Sequence, residues 1–220
     1  MGRGGTATWL LREDDGFPSP FGGGVRGEGR QSYTAAMPSA LLIIAPEGFQ
    51  DQEYAGTRKG LEDARYAITV ASTRVGTCTG KFGGKQEATV ALKGVDISSF
   101  DKVAFIGGPG AAALADNEDA KQIARETVAQ GKILGAICIA PLILARAGVL
   151  KGKHATVWDP STRSASGLAR SGQVAPPTPS QILQEEGATY TGKDVTVDGK
   201  IVTGNGPATA EKFGKVLAGL

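Results

Sequence analysis

The stretch Lys132-Ile133-Leu134-Gly135-Ala136-Ile137-Cys138-Ile139-Ala140-Pro141 decides how this chain is read. An apolar, strand-like run leads into Cys138, and a helix-like run, Leu142-Ile143-Leu144-Ala145-Arg146-Ala147, leads away from it. A thiol at a sharp strand-to-helix turn has the form of a nucleophile elbow, whose tight backbone demands small residues two before and two after the nucleophile. Ala136 and Ala140 meet that demand. Pro141 suits a first helical turn, where no backbone N–H is needed. A helix starting there would aim its free N–H groups and its positive dipole end at the sulfur, favouring thiolate over thiol. The competing reading is a buried cysteine acting as a small hydrophobe, the commoner fate of cysteine in an apolar run.

Outward from this segment the pattern is that of an α/β protein, in which apolar runs alternate with amphipathic ones. Ala40-Leu41-Leu42-Ile43-Ile44-Ala45 and Lys102-Val103-Ala104-Phe105-Ile106 read as strands buried on both faces. Helices are expected over roughly residues 51–65 and 117–130, with a strand over 67–72 between them. A short edge strand over 87–92, pairing near Cys78, is a further expectation, as is a strand over 154–158. Residues 195–202 read as a hairpin with Asp198-Gly199 at a two-residue type I′ turn, and Gly206-Pro207 opens a closing helix.

The 220 residues suffice for one α/β domain with a full core. Hydrophobic content of 40% and charged content of 21% are ordinary for a globular protein. A net charge of +2 gives no reason to expect a nucleic-acid or membrane-surface partner. No apolar run approaches the roughly 18 residues that would span a bilayer. Two cysteines make no disulfide framework and fit a reducing cytoplasm, and the lone His154 argues against a histidine-rich metal site. No metal, nucleotide or flavin motif is present, so no cofactor is expected; the glycines of Gly107-Gly108-Pro109-Gly110 lack phosphate-loop spacing. Residues 1–37 have no period and are rich in glycine, proline and charge, so they read as a disordered or non-native extension before a single domain over 38–220. The small, polar, proline-rich run at 161–180 reads as an inserted surface loop.

Four ordered motifs carry a resemblance. Ala45-Pro46-Glu47-Gly48-Phe49-Gln50-Asp51-Gln52-Glu53, Ile106-Gly107-Gly108-Pro109-Gly110, Gly135-Ala136-Ile137-Cys138-Ile139-Ala140-Pro141 and Thr203-Gly204-Asn205-Gly206-Pro207 resemble the ThiJ/PfpI superfamily, over about residues 39–160 and 181–220. That superfamily includes protein deglycases and PfpI-type intracellular proteases. The resemblance implies a flavodoxin-like three-layer sandwich: a mostly parallel sheet with helices on both faces. It also implies a homodimer or larger homo-oligomer.

By the same resemblance Cys138 is the nucleophile and Glu53, from the first helix, its proton partner. A carboxyl held beside a thiolate is disfavoured as an anion, so its pKa should rise and it can serve as acid and base; the alternative for Glu53 is a solvated helix charge. Glu47, in the preceding loop, is a weaker candidate. The backbone N–H groups of Gly108 and Ile139 would form an oxyanion hole, with Gly107, Trp158 and Asn205 around the pocket. Gly107-Gly108 could instead be a plain tight turn, Asn205 a cap, and Trp158 a large core residue. The departures are as informative. PfpI-type proteases carry a histidine directly after the cysteine, where this chain has Ile139, and the deglycase branch carries one where this chain has Trp158. His154 would lie about 13 Å from Trp158 along an extended strand, so no Cys–His dyad is visible and peptidase activity is disfavoured. Asp159 could supply an additional carboxylate, and Cys78 reads as a bystander.

Two classes of function remain at this stage. One is a cysteine-dependent enzyme acting on small reactive carbonyls or their adducts, deglycase-like or glutathione-independent glyoxalase-like, with a carbonyl compound or glycated protein as partner. The other is a redox-sensing or chaperone-like stress protein that uses oxidation of an exposed, low-pKa Cys138.

Overall fold

Along Ser39–Ile43 (β1) and into Ile44, successive side chains leave on opposite sides of a sheet, as the two-residue period of a strand requires. Leu41 and Ile43 join one buried cluster, while Ala40, Leu42 and Ile44 join another. Both faces are therefore covered, which is why residues 40–44 include no polar side chain. The computed structural model describes residues 37–163 and 176–220. The expected extension over 1–37 thus lies, apart from Met37, outside the described residues.

In chain order, β1 is followed by β2 (Glu47–Phe49), α1 (Asp51–Asp63), β3 (Ala67–Ser72), β4 (Gly76–Gly80), β5 (Lys85–Ala88), β6 (Val90–Ala91) and β7 (Lys102–Phe105). Then come α2 (Ala111–Leu114), α3 (Glu118–Ala129), β8 (Ile133–Ile137), α4 (Pro141–Arg146) and β9 (His154–Ala155). The chain closes with α5 (Pro179–Glu185), β10 (Thr189–Tyr190), β11 (Val195–Asp198), β12 (Ile201–Gly204) and α6 (Ala210–Gly219). The main sheet has seven strands in the order β11-β12-β8-β7-β1-β3-β6. All its pairings are parallel except β11 with β12. Side chains of α3, α4 and α5, such as Ile123, Ile143 and Leu183, cover one face with Val103 and Phe105. Those of α1 and α6, such as Tyr54, Leu61 and Phe213, cover the other with Ala104 and Ile106. This is the three-layer α/β sandwich expected from the sequence.

Helices α1 and α6 approach closely because glycines face each other. A Cβ added at Gly56 would lie 2.8 Å from the Ala210 backbone, and one at Gly60 would collide with the backbone of Gly214. Lys102, only 3% exposed, reaches from β7 to the end of α6, where its ammonium donates to the carbonyls of Leu217 and Ala218 at 2.7 and 2.8 Å. Those carbonyls would otherwise lack partners at the helix C-terminus.

Several boundaries differ from the sequence reading. The expected strand over 154–158 is a strand only at His154–Ala155, and it pairs with β10 rather than with the main sheet. The place beside β8 is taken by β12. The next residues cross over the strand ends instead: Thr156 N–H donates to Thr203 Oγ1 at 2.9 Å and Trp158 N–H to the Cys138 carbonyl at 2.8 Å. The expected edge strand over 87–92 is two strands: β5 pairs with β4, and β6 pairs with β3. In the β11–β12 hairpin Asp198 pairs with Ile201, so the turn residues are Gly199-Lys200. Only Gly199 has positive φ, 60°. A type I′ turn needs positive φ at both central residues, so this turn follows the II′ pattern, and Asp198 stays in the ladder. The end of the 161–180 run is helical: Pro179 starts α5, and Thr178 and Gln181 form a capping box. Residues 164–175 of that run lie outside the described residues.

Candidate active site

The turn from β8 into α4 puts Cys138 at φ 64°, a left-handed conformation rare for a residue with a side chain. Such strain persists only where neighbours hold it. Cys138 N–H donates to the Gly204 carbonyl at 2.8 Å, and the Cys138 carbonyl accepts the Trp158 N–H. Ala136 and Ala140 are fully buried beside the elbow, so the small-residue requirement read from the sequence has a packing cause.

Glu53 arrives from α1. The first turn of that helix is stitched to the loop after β7 by Gln50 N–H donating to the Gly107 carbonyl at 2.9 Å. Gly107 N–H returns a hydrogen bond to Glu53 Oε2 at 3.1 Å. Glu53 is 0% exposed. Its other oxygen, Oε1, finds no backbone or hydroxyl donor, and the Cys138 thiol is the group that faces the carboxyl. The solvated-charge reading of Glu53 is thereby set aside. Gly107 stands between the two: a Cβ there would lie 2.5 Å from the Cys138 Cβ and 2.6 Å from Glu53 Oε2. Only glycine fits.

Burial raises the Glu53 carboxyl to about 7, against weaker downward pulls from its hydrogen bonds with Cys138 and Gly107 and from the Lys81 charge. The thiol is also raised, first by burial, then by the charge and hydrogen bond of Glu53. The Gly108 and Ile139 amides point at the sulfur and pull the other way. The sequence reading anticipated an exposed, low-pKa thiolate at a helix N-terminus. Here Cys138 is only 8% exposed and α4 is six residues long. Desolvation and the neighbouring carboxyl outweigh the amides. Thiol and carboxyl therefore act as a pair that cannot both be anionic, and a proton is retained between them near neutral pH.

The sulfur opens into a cavity of about 340 Å³, small by the standard of ligand sites. Gly108, Ile139 and Trp158 line it, together with Gln50, Lys81, Pro109, Ala112 and Pro207, which the sequence reading did not select. Gly107 and Glu53 sit behind the wall rather than in it. Asn205 is outside it too. Asn205 N–H donates to the Asp194 carbonyl, and its Oδ1 accepts the Thr209 hydroxyl at 3.3 Å, so it braces the entry to α6 while Pro207 faces the cavity.

Other candidates are placed elsewhere. Asp159 accepts from Ser161 N–H at 2.8 Å, Ser161 Oγ at 2.6 Å and Ser180 N–H at 3.1 Å. Burial alone would raise its carboxyl, but these hydrogen bonds prevail and hold it at about 2, so it ties Ser161 to Ser180 as an anion. His154 is exposed, with Nδ1 3.3 Å from Asp198 Oδ2, and takes no part in the cavity. Glu47 is exposed on β2. Cys78 is fully buried in β4, its sulfur 3.7 Å from the Gly76 carbonyl. Among the described residues, no group of three His, Cys, Asp or Glu side chains could hold a metal ion, and no helix is long and apolar enough to cross a membrane.

Residues 38–219 match the model of the DJ-1/PfpI family. The chain belongs to that family. It is 32% identical over 177 residues to an uncharacterised protein of Methanocaldococcus jannaschii, an alignment covering 79% of this chain and 78% of that one. A Thermococcus kodakarensis protein named a deglycase is 34% identical over 53% of this chain and 70% of its own. A glutathione-independent glyoxalase of Caenorhabditis elegans is 27% identical over 81% and 86%. Among solved structures, a ThiJ/PfpI domain protein of Brachyspira murdochii superposes with a TM-score of 0.72 at 28% identity, covering 82% of this chain and 94% of that one. Drosophila melanogaster DJ-1beta superposes with a TM-score of 0.68 at 26% identity, covering 83% and 89%. The elbow, the buried glutamate and the glycine pair thus lie in a DJ-1/PfpI fold in which the residue after the cysteine is Ile139 and the residue bound to the elbow carbonyl is Trp158.

Proposed function

We propose that this protein is a cysteine-dependent enzyme for small reactive carbonyls or their thiol and amine adducts, with Cys138 as nucleophile and Glu53 as proton carrier. One observation carries the reading: a fully buried carboxyl, held near pKa 7, faces a strained thiol that opens into a small cavity. A group titrating near 7 can both give and take a proton at neutral pH.

For a 2-oxoaldehyde the steps balance without an external oxidant. The Cys138 sulfur bonds to the aldehyde carbon as its proton passes to the new oxygen, giving a hemithioacetal. The Gly108 and Ile139 amides, already aimed at the sulfur, lie beside the oxygen that becomes negative during the addition. Glu53 then takes the proton from the former aldehyde carbon and returns one to the neighbouring carbonyl carbon, while the hemithioacetal hydroxyl proton passes to the neighbouring oxygen. The first carbon is oxidised to a thioester and the second reduced to an alcohol. Water cleaves the thioester, releasing a 2-hydroxy acid and the free thiol. The net change is addition of one water, so methylglyoxal would yield lactate. None of these steps requires the absent histidine.

The deglycase and glyoxalase names of relatives support the same class of reaction. The redox-sensor alternative presupposes an exposed thiolate, and the burial of Cys138 disfavours it. The test is methylglyoxal consumption with lactate detection in the wild type and in Cys138→Ala. Turnover in the wild type that disappears in the variant is the expected result. Turnover retained by Cys138→Ala overturns the proposal, as does its absence from the wild type with both methylglyoxal and a carboxylate-bearing 2-oxoaldehyde.

A further inference from the structure

Lys81 lines the cavity but has no part in the steps above. It sits at the tip of the β4–β5 hairpin, and that tip is fastened to the start of α1. Lys81 N–H donates to the Phe49 carbonyl at 2.7 Å. The Asp51 carboxylate accepts from Phe82 N–H and from Gly84 N–H, each at 2.8 Å. Gly80 and Gly84 leave no room for a Cβ against that carboxylate. The backbone carrying Lys81 is therefore fixed relative to Glu53, two residues along the same helix from Asp51.

Among the described residues its charge has no carboxylate partner within ion-pair distance. Asp51 is occupied by backbone amides. Its ammonium stands 5.3 Å from the centre of the exposed Phe82 ring. The remaining cavity wall is apolar apart from Gln50 and the backbone, and the adjacent carboxyl holds its proton near neutrality. Lys81 is exposed, but its backbone is held in a clamped turn and it lines a mainly apolar cavity.

We propose that Lys81 selects the substrate by charge, and that the carbonyl compound or adduct processed at Cys138 carries a carboxylate. The proposal rests on reading Cys138 as the reacting thiol. A carboxylate beside the ammonium would gain a charge-assisted hydrogen bond and place the carbonyl toward the sulfur. A neutral aldehyde gains neither.

The test needs no turnover. Iodoacetate and iodoacetamide have nearly the same shape and differ in charge. With each, the Cys138 sulfur bonds to the methylene carbon, iodide leaves with the bonding pair, and the thiol proton goes to solvent. Site-resolved mass spectrometry of the full chain gives the two rates at Cys138. Their ratio cancels any general change in thiol reactivity. The iodoacetate-to-iodoacetamide ratio should fall about fivefold in Lys81→Met, the upper range for an exposed ion pair, and recover in Lys81→Arg. Added salt should lower the ratio in the wild type but not in Lys81→Met. An equal ratio in the wild type and Lys81→Met overturns the proposal. So does failure of both reagents to reach Cys138, since a cavity that admits a carboxylate-bearing carbonyl admits iodoacetate. If the ratio responds to Lys81 while neither methylglyoxal nor a carboxylate-bearing 2-oxoaldehyde is turned over, Lys81 still reads charge at the thiol, but the enzymatic reading and the substrate assignment fall. If turnover requires Cys138 and the ratio does not move, the enzymatic reading stands and charge selection falls.

Discussion

The backbone N–H of Trp158 donates to the carbonyl oxygen of Cys138 at 2.8 Å. The indole that narrows the cavity is therefore tied to the elbow that presents the thiol, and Trp158 Cδ1 also limits the space at Gly206. Replacing Trp158 with alanine keeps the backbone bond but widens the cavity. Alkylation of Cys138 by a bulky maleimide should then accelerate severalfold relative to iodoacetamide. The half-buried ring should cost about 2 kcal/mol of stability when removed, below the range for a fully buried aromatic. An unchanged maleimide preference would show that Trp158 does not limit access.

Glu53 links the site to pH. Its folded pKa of about 7 lies above the ordinary 4.5, so between those values the folded chain holds more protons than the unfolded one. This contribution to stability is fully present below pH 4.5 and is lost as pH rises through 7. The loss is up to about 3 kcal/mol. Glu53→Gln removes the titration. Urea midpoints at pH 5 and pH 7.5 should differ less in that variant than in the wild type, and its lactate formation should be lost. Asp159, held at about 2, has the opposite sign and a lower window: its contribution disappears as pH falls below the ordinary 3.8. The two effects separate on the pH axis.

Gly107→Ala would drive a methyl group between the Cys138 Cβ and Glu53 Oε2, and toward the Ile137 carbonyl at 2.7 Å. Overpacking of this kind costs about 1–3 kcal/mol. Catalysis should suffer more than stability, because the displaced atoms are the thiol and its proton partner. Comparing the urea midpoint with the Cys138 alkylation rate separates the two effects. An active, fully stable variant would show that the thiol–carboxyl contact tolerates displacement.

Gly60→Ala examines the seam between α1 and α6. The new Cβ meets the Gly214 backbone and lies 2.7 Å from Lys215 N, which no side-chain rotation relieves. A loss of about 3 kcal/mol is expected, the upper range for overpacking. Because α1 carries Glu53, hydrogen exchange should show loosening at Gln50 and Gly107 as well as at the seam.

Lys102→Met keeps the length of the side chain but leaves the Leu217 and Ala218 carbonyls without their donor. The expected cost is about 1–3 kcal/mol. It should appear first as increased hydrogen exchange in the last turn of α6. Unchanged protection there would mean that water replaces the ammonium.

The layered α/β order, the main parallel strands and the Cys138 elbow were legible in the sequence. The physical reason is local. A doubly covered strand excludes polar residues over a continuous run, as in Ala40–Ala45, and a tight elbow excludes large side chains at Ala136 and Ala140. Both constraints act over a few neighbouring positions, so they leave a pattern along the chain. The link from Glu53 to Cys138 is not local, and it came from the resemblance of four ordered motifs. Tertiary structure alone decided the rest. That β12 takes the place beside β8, sending Trp158 across the strand ends, depends on a strand some 45 residues later. That Asp159 binds serines, Asn205 braces a helix entry and Lys81 faces the cavity depends on hydrogen bonds across distant segments. The sequence anticipated the raised Glu53 carboxyl but not the raised thiol: a helix N-terminus argues for a thiolate, but burial is a property of the whole fold, and here burial prevails.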